Sequence, residues 1–255
     1  MQKVLSTMRK AIQKYNLIQD GDNIAVGVSG GKDSLVLLKA LSDFKKFGLY
    51  NFNLYAVTID NYSGEISYDG LKKFCAEINV PLHIEQTDIN KIVFEIRKEK
   101  NPCSLCAKMR RGALNTVCQK LGCNKLALAH HKQDVVTTFF MSLLYEGRLS
   151  TMQPMSYMTQ SGITLIRPLY LTEESKIIHA SRNFPILKSI CPANDNSKRK
   201  EIKEFVSSIE QQFPGSRKRI ENAILSPESY NLLSLSYGIT NPTENKNIDT
   251  DKDKA

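Results

Sequence analysis

Residues 24–41 read IAVGVSGGKDSLVLLKAL, and this stretch decides the fold. Residues 24–28 form a short apolar run of the kind that makes a buried parallel strand. The run passes directly into Ser29-Gly30-Gly31-Lys32-Asp33-Ser34. Leu37, Leu38, Leu41 and Phe44 then recur at helical spacing, which predicts a helix that begins near Asp33 and packs on a sheet. A strand that turns through two glycines into a helix N-terminus is an anion site in outline. The glycines let backbone N–H groups approach phosphate oxygens, and the helix start adds unpaired donors and the positive end of a dipole. Ser29 and Ser34 offer hydroxyls and Lys32 a charge. Asp33 belongs in such a pocket only if a cation such as magnesium lies between its carboxylate and the phosphates. The spacing is not that of the nucleoside-triphosphatase P-loop, GxxxxGK followed by Ser or Thr.

Outward from this unit the alternation continues. Apolar runs at residues 54–59, 82–84, 126–129 and 163–166 alternate with helix-period segments. One of these carries Val136, Phe139, Phe140, Leu143 and Leu144, which are predicted to pack on the sheet. This predicts an α/β fold, a doubly wound parallel sheet that binds ligands at the carboxyl ends of its strands. The organisation reads as an N-terminal helix in residues 1–20, a nucleotide-binding domain over 21–196, a basic helical extension over 197–238 broken at Pro214-Gly215, and a polar tail, 239–255, expected to be disordered.

The 255 residues are 41% hydrophobic and 24% charged, enough for one substantial core. The N-terminus lacks the unbroken apolar run of a secretory signal, and no stretch approaches the ~20 apolar residues of a membrane span, so a soluble cytoplasmic protein with no membrane partner is expected. Lys and Arg number 35 against 26 Asp and Glu, and the excess is concentrated: residues 91–111 hold seven basic and two acidic side chains, and residues 198–219 hold seven and three. Such blocks suit a polyanionic partner, although a solvated surface has the same composition.

The six cysteines lie in a chain too long for a disulfide scaffold and are expected to be reduced. Cys103 and Cys106 form a CxxC. The flanking residues predict a helix capped by Asn101 with Pro102 in its first turn, which puts both thiols on one face. The helix N-terminus, Arg110 and Arg111 are expected to favour their thiolate forms. On spacing alone the pair is a metal site, a redox pair or two packed thiols. Cys75, Cys118 and Cys123 are expected to serve packing.

SGGKDS at 29–34, CSLCAKMRRG at 103–112, AHHKQD at 129–134, IRPL at 166–169 and Cys191 after FPI at 184–186 occur in that order. Together, over about residues 20–215, they resemble the TtcA family of tRNA 2-thiocytidine synthetases, members of the PP-loop ATP pyrophosphatases. The resemblance implies a HUP-like, adenine nucleotide alpha hydrolase-like fold. It implies that ATP is bound by Ser29, Gly30, Gly31, Lys32, Asp33 and Ser34, that His131 and Asp134 close the ATP and metal site, that Lys32 and Asp33 are catalytic, and that Asp33 holds magnesium. It implies a 4Fe–4S cluster on Cys103, Cys106 and Cys191, with one iron open to hold the sulfide to be transferred. The implied substrate is tRNA, the implied sulfur donor is fed by a cysteine desulfurase, and the implied assembly is a homodimer.

The implied chemistry is adenylation of the C2 oxygen of an unpaired cytidine, loss of pyrophosphate and replacement of AMP by sulfur. The chain departs from the family pattern at Gln133, where an acidic residue is usual, at Thr137, where glutamate is usual, and around Cys191, where a second CxxC is often found. Arg167 in IRPL reads either as a site residue or as a surface ion-pair partner. Rival readings are a PP-loop ligase of the lysidine synthetase type, which shares SGGxDS and AHHxxD but has no use for CSLC, and a non-catalytic nucleotide-binding redox regulator. Structural zinc on the three cysteines is the alternative to iron and sulfur.

Overall fold

The computed structural model describes residues 1–62, 64, 66–98, 102–187, 191 and 198–226. The strand before the glycine loop, β1 (Asn23–Gly27), is central because Ile24, Ala25 and Val26 leave it no polar face to expose, and all three are fully buried. It pairs in parallel with β2 (Asn53–Asp60) on one side and β4 (Lys125–Ala127) on the other. Outside these lie β3 (Leu82–Gln86), parallel to β2, and β6 (Ile163–Ile166), parallel to β4.

The expected parallel sheet carries a sixth member at its edge that the apolar runs did not announce. β5 (Met155–Met158) runs antiparallel to β6 at the edge, so the order is β3-β2-β1-β4-β6-β5. Its residues alternate between exposed and half-buried and none is β-branched, so it lacks the apolar run that marks the other strands.

Helices cover both faces. On one, Val4, Met8 and Ile12 of α1 (Gln2–Tyr15) share a core with Leu35, Leu38, Leu41 and Phe44 of α2 (Lys32–Lys45), Leu71 and Phe74 of α3 (Asp69–Glu77) and Ile177 of α6 (Glu174–Ala180). Each such side chain, fully buried, contributes roughly 1.5–3 kcal/mol. On the other face, Val117 and Cys118 of α4 (Pro102–Lys120) meet Ala25, Val57 and Leu126. The chain leaves β3, passes through a π-helical turn (Lys91–Ile96) and α4, and re-enters as β4 beside β1. The crossovers after β1 and β4 therefore diverge, and a crevice opens at the carboxyl ends of those strands. Beneath it, buried Lys125 is held by Asp22 at 2.7 Å and by the Leu17 carbonyl at 2.9 Å, which ties β4 to the exit of α1.

α5 (Lys132–Glu146) corrects an expectation. Val135 and Val136 pack with Ile202 and Val206 of α7 (Lys198–Gln212) and Ile224 of α8 (Ser216–Leu225), while Leu143 is 36% and Leu144 54% exposed. The helix uses its apolar stripe against two helices rather than the sheet, and its last turn runs past them. The basic extension breaks as expected, with Gly215 at φ 82°. The Asn101 cap and the tail 239–255 lie outside the described residues. Among the described residues no helix is long and apolar enough to cross a membrane.

Candidate active site

The loop after β1 is shaped by its own short hydrogen bonds. Ser34 Oγ accepts from the Ser29 N–H at 3.2 Å and donates to the Gly31 carbonyl at 2.9 Å. Gly30 has φ +79°, where an L side chain is strained, and a Cβ there would lie 2.6 Å from Leu187 Cδ1. The Leu187 N–H donates to the Gly30 carbonyl at 3.0 Å. No side chain caps α2, whose first turn opens at Gly31 and carries Asp33.

Lys32 does not reach freely into this cradle. Its Nζ donates to Asp33 Oδ1 at 3.0 Å and Oδ2 at 3.2 Å, and to Glu174 Oε1 at 3.0 Å. Burial opposes the ammonium charge, but the bonds to Asp33 and Glu174 outweigh it and raise the pKa. Glu174 is a site residue that sequence reasoning missed. Its own N–H donates to Gln133 Oε1 at 2.9 Å, so Gln133 has a task that any acceptor oxygen fulfils. Thr137, the other departure, is buried and donates to the Gln133 carbonyl at 2.7 Å.

The chain leaving β4 closes the opposite side. His131, 2% exposed, is the N-cap of α5, and its N–H donates to Asp134 Oδ2 at 3.1 Å. Its Nε2 lies 3.5 Å from Asp134 Oδ2 and 3.8 Å from Asp33 Oδ1, so the three expected residues form a chain from α5 to α2. Among the described residues, buried His131 Nδ1 has no hydrogen-bond partner. Burial opposes ionisation of Asp134, but the His131 ring, the His131 N–H and Arg199 outweigh it and hold the carboxyl below its ordinary value. Arg199 donates to Thr138 Oγ1 at 3.1 Å and stands 4.0 Å from Asp134 Oδ1.

Arg167 is 8% exposed, which excludes the surface ion-pair reading. Its Nε donates to His130 Nδ1 at 3.3 Å and its Nη1 to the Gln153 carbonyl at 2.6 Å. Burial, with the charge of Arg111, brings its pKa down to about 10, so it stays charged at neutral pH. Burial and the charge of Arg167 push His130 down to about 4, and a neutral ring is what an Nδ1 acceptor requires.

Some of these groups, Ser29, Asp33, Ser34, His130, Asp134 and Arg199, line a cleft of about 410 Å³. Ser29, Asp33 and Ser34 line one wall, and Ala107, Arg110 and Arg111 of α4 the other. Arg199 and Asp134 stand at the rim, and Val57, Ile59 and Leu128 form an apolar floor. The inward turn of Arg110, Arg111 and Arg199 was not legible. The basic blocks announced the charge but not which side chains face the cleft.

The cysteine pair begins the same helix wall. Cys103 is exposed, and Cys106, three residues on, is half-buried. Burial, joined by the charges of Cys191 and Cys103, raises the Cys106 thiol although Arg110 pulls it down. This overturns the expectation of a favoured thiolate at Cys106, because desolvation there exceeds what one arginine returns. Cys191 lies beside the Tyr62 side chain, whose pKa is raised by burial and then by that thiol, and the Tyr62 backbone N–H donates to Asp60 Oδ1 at 3.0 Å. Among the described residues no three His, Cys, Asp or Glu side chains stand close enough to hold one metal ion. Cys75, Cys118 and Cys123 are buried in the two cores, as expected.

A family model described as a PP-loop domain matches residues 2–205. A tRNA-cytidine(32) 2-sulfurtransferase of Bordetella avium is 37% identical over 219 residues, 84% of this chain and 70% of that protein. The protein of the same name from Geobacter sulfurreducens is 35% identical over 238 residues, 91% of this chain and 93% of its own length. Among solved structures, the U34-tRNA thiolase NcsA from Methanococcus maripaludis with its 4Fe–4S cluster superimposes with a TM-score of 0.69 at 26% identity, covering 89% of this chain and 80% of that one.

Proposed function

Because the chain belongs to the PP-loop domain family and, within it, to the tRNA-cytidine(32) 2-sulfurtransferases, we propose that it uses ATP to exchange the C2 oxygen of a cytidine in a tRNA loop for sulfur. One observation carries this reading to the residues. The glycine loop and the CxxC helix face each other across one cleft, with Ser29, Asp33 and Ser34 opposite Ala107, Arg110 and Arg111, the turn that follows Cys106.

The β- and γ-phosphates of ATP lie against residues 29–34 and the open start of α2. The apolar floor of Val57, Ile59 and Leu128 suits the adenine ring. The C2 oxygen of the target base attacks the α-phosphorus; the new P–O bond forms as the bond to the bridging oxygen breaks, and pyrophosphate departs into the loop. Lys32 and the arginines of the cleft stabilise the charge that develops. A sulfide-level sulfur then forms a bond to C2 as the C2–O bond breaks, and AMP leaves with the former C2 oxygen. No side chain is needed as a nucleophile, so the protein positions and neutralises.

Asp33 fits magnesium as a hard carboxylate, and the ammonium resting on both its oxygens marks the spot as one that favours positive charge. Bound there, the ion would neutralise the departing pyrophosphate, and His131 and Asp134 would hold Asp33 in place. Cys103, Cys106 and Cys191 fit a 4Fe–4S cluster as a soft donor set. Drawing the three sulfurs together, with loss of their protons, is work that metal binding itself performs. When bound, the cluster supplies the sulfur atom. The basic segments 91–111 and 198–219 contact the RNA backbone. A homodimer, a domain spanning 21–196 with its extension to 238, and a sulfur donor fed by a cysteine desulfurase belong to the same reading.

The test is an anaerobic reaction of cluster-loaded protein with ATP, unmodified tRNA and inorganic sulfide as the sulfur source. AMP, pyrophosphate and 2-thiocytidine are expected in equal amounts. ADP as the nucleotide product, or no thiolated base by nucleoside mass spectrometry, overturns the reading.

A further inference from the structure

Glu174 stands 142 residues from Lys32 in sequence, yet it takes the third hydrogen bond of that ammonium. All three bonds of Lys32 Nζ go to carboxylates, and Lys32 is missing from the lining of the cleft that Ser29, Asp33 and Ser34 enter. Glu174 is itself anchored. It is the first residue of α6, its N–H is fixed by Gln133 Oε1, and α6 packs on α1 and α2.

We propose that Glu174 is a positioning residue that parks the Lys32 ammonium beside the cleft, so that this cation reaches the phosphates only when a polyphosphate draws it from the carboxylate. The inference rests on the ATP-site reading above and adds a latch to it. The latch is weak enough to release, because the two side chains are 30% and 29% exposed and such ion pairs contribute little. An ATP polyphosphate presents several anionic oxygens at once, against one from Glu174. The carboxylate is not stranded when Lys32 leaves, since Lys203 and His131 also face it and favour its charged form.

The experiment measures equilibrium binding of an ATP analogue with a non-cleavable α,β bridge, without tRNA. Glu174→Gln keeps the shape and the backbone bond to Gln133 and is expected to tighten binding roughly two- to fivefold, the equivalent of one such ion pair. Glu174→Asp, one methylene shorter, is expected to fall between. In a Lys32→Met background Glu174→Gln is expected to change nothing, because the group it restrains is gone. With ATP itself, Glu174→Gln is expected to raise pyrophosphate release in the absence of tRNA. Unchanged or weaker binding by Glu174→Gln, or an undiminished effect in the Lys32→Met background, overturns the latch. Because binding is read without RNA or turnover, a wild-type protein that makes no thiolated base would sink the proposed function and leave this result standing.

Discussion

On the phosphate wall of the cleft, Ser34 is 4% exposed and belongs to a helix with nine buried residues, whereas on the facing wall Cys103 is exposed and α4 fully buries only Val117 and Cys118 near its end. The first wall is held by the sheet, by the Ser29–Ser34 bonds and by the Asp33–His131–Asp134 chain. The second is a helix whose Leu105, Met109 and Leu114 are only partly buried where they pack on the sheet core. Packing therefore makes the phosphate cradle before any ligand arrives, while the cysteine set is left for its ligand to complete.

Two substitutions break this comparison if it is wrong. Asp33→Ala is expected to reduce thiolation and pyrophosphate release at least about 100-fold and to leave iron content unchanged. Cys103→Ala is expected to lose iron and thiolation while ATP binding stays within about twofold of wild type. If either variant loses both properties, the walls are one cooperative unit and the distinction fails.

A preformed wall carries its own linkage to pH. His130 has an ordinary pKa of 6.5 and is pushed to about 4 in the folded chain by burial and Arg167. The unfolded chain therefore binds more protons between these values, so the stabilisation is complete above pH 6.5 and is lost as pH falls towards 4. The slope is at most about 1.4 kcal/mol per pH unit. His130→Asn keeps an acceptor for Arg167, and urea midpoints across that window are expected to lose this part of their pH dependence. An identical profile in the variant would remove His130 from the account.

How much of this was legible follows the range of the contacts. The glycine loop could be read because its determinants lie within six residues of one another, strand, turn and helix start together. The break at Pro214-Gly215 was equally local. Glu174 on Lys32 and Arg199 on Thr138 join residues 142 and 61 positions apart, and no periodicity records such pairings. Leu143 and Leu144 continue the apolar spacing of α5 past the helices that cover it, so pattern alone overstated their burial. Arg167 and His130 gained their meaning only when β4 and β6 were set side by side.

Gly30 sharpens the comparison because it belongs to the phosphate loop and is hydrogen-bonded to Leu187, which precedes Cys191 in the chain. Gly30→Ala is expected to cost about 1–2 kcal/mol from the left-handed backbone alone, with displacement of Leu187 added. Cys191 lies four positions after Leu187 in sequence, a reach of at most about 14 Å. Iron loading is therefore expected to fall along with ATP affinity, unlike in Asp33→Ala. Iron content per chain, measured beside nucleotide affinity, checks this; a loss of affinity alone would show that Leu187 does not connect the walls.

The smallest effect is expected at Cys75, and it tests what separates a ligand from a packed thiol. Burial raises the thiols of both Cys75 and Cys106, the former to about 11, so protonation does not distinguish them. Their surroundings do. Cys75 is 2% exposed among Leu71 and Phe74, whereas Cys106 is only half-buried and precedes Ala107, Arg110 and Arg111 on the wall of the cleft. Cys75→Ala removes one atom from a packed core, comparable to losing a methyl group, and is expected to cost about 0.5–1.5 kcal/mol in denaturant unfolding. Iron content is expected to stay at the wild-type value and thiolation within about twofold. A loss of iron in Cys75→Ala would mean that a thiol packed in the core is needed for the cluster, against the assignment of Cys103, Cys106 and Cys191.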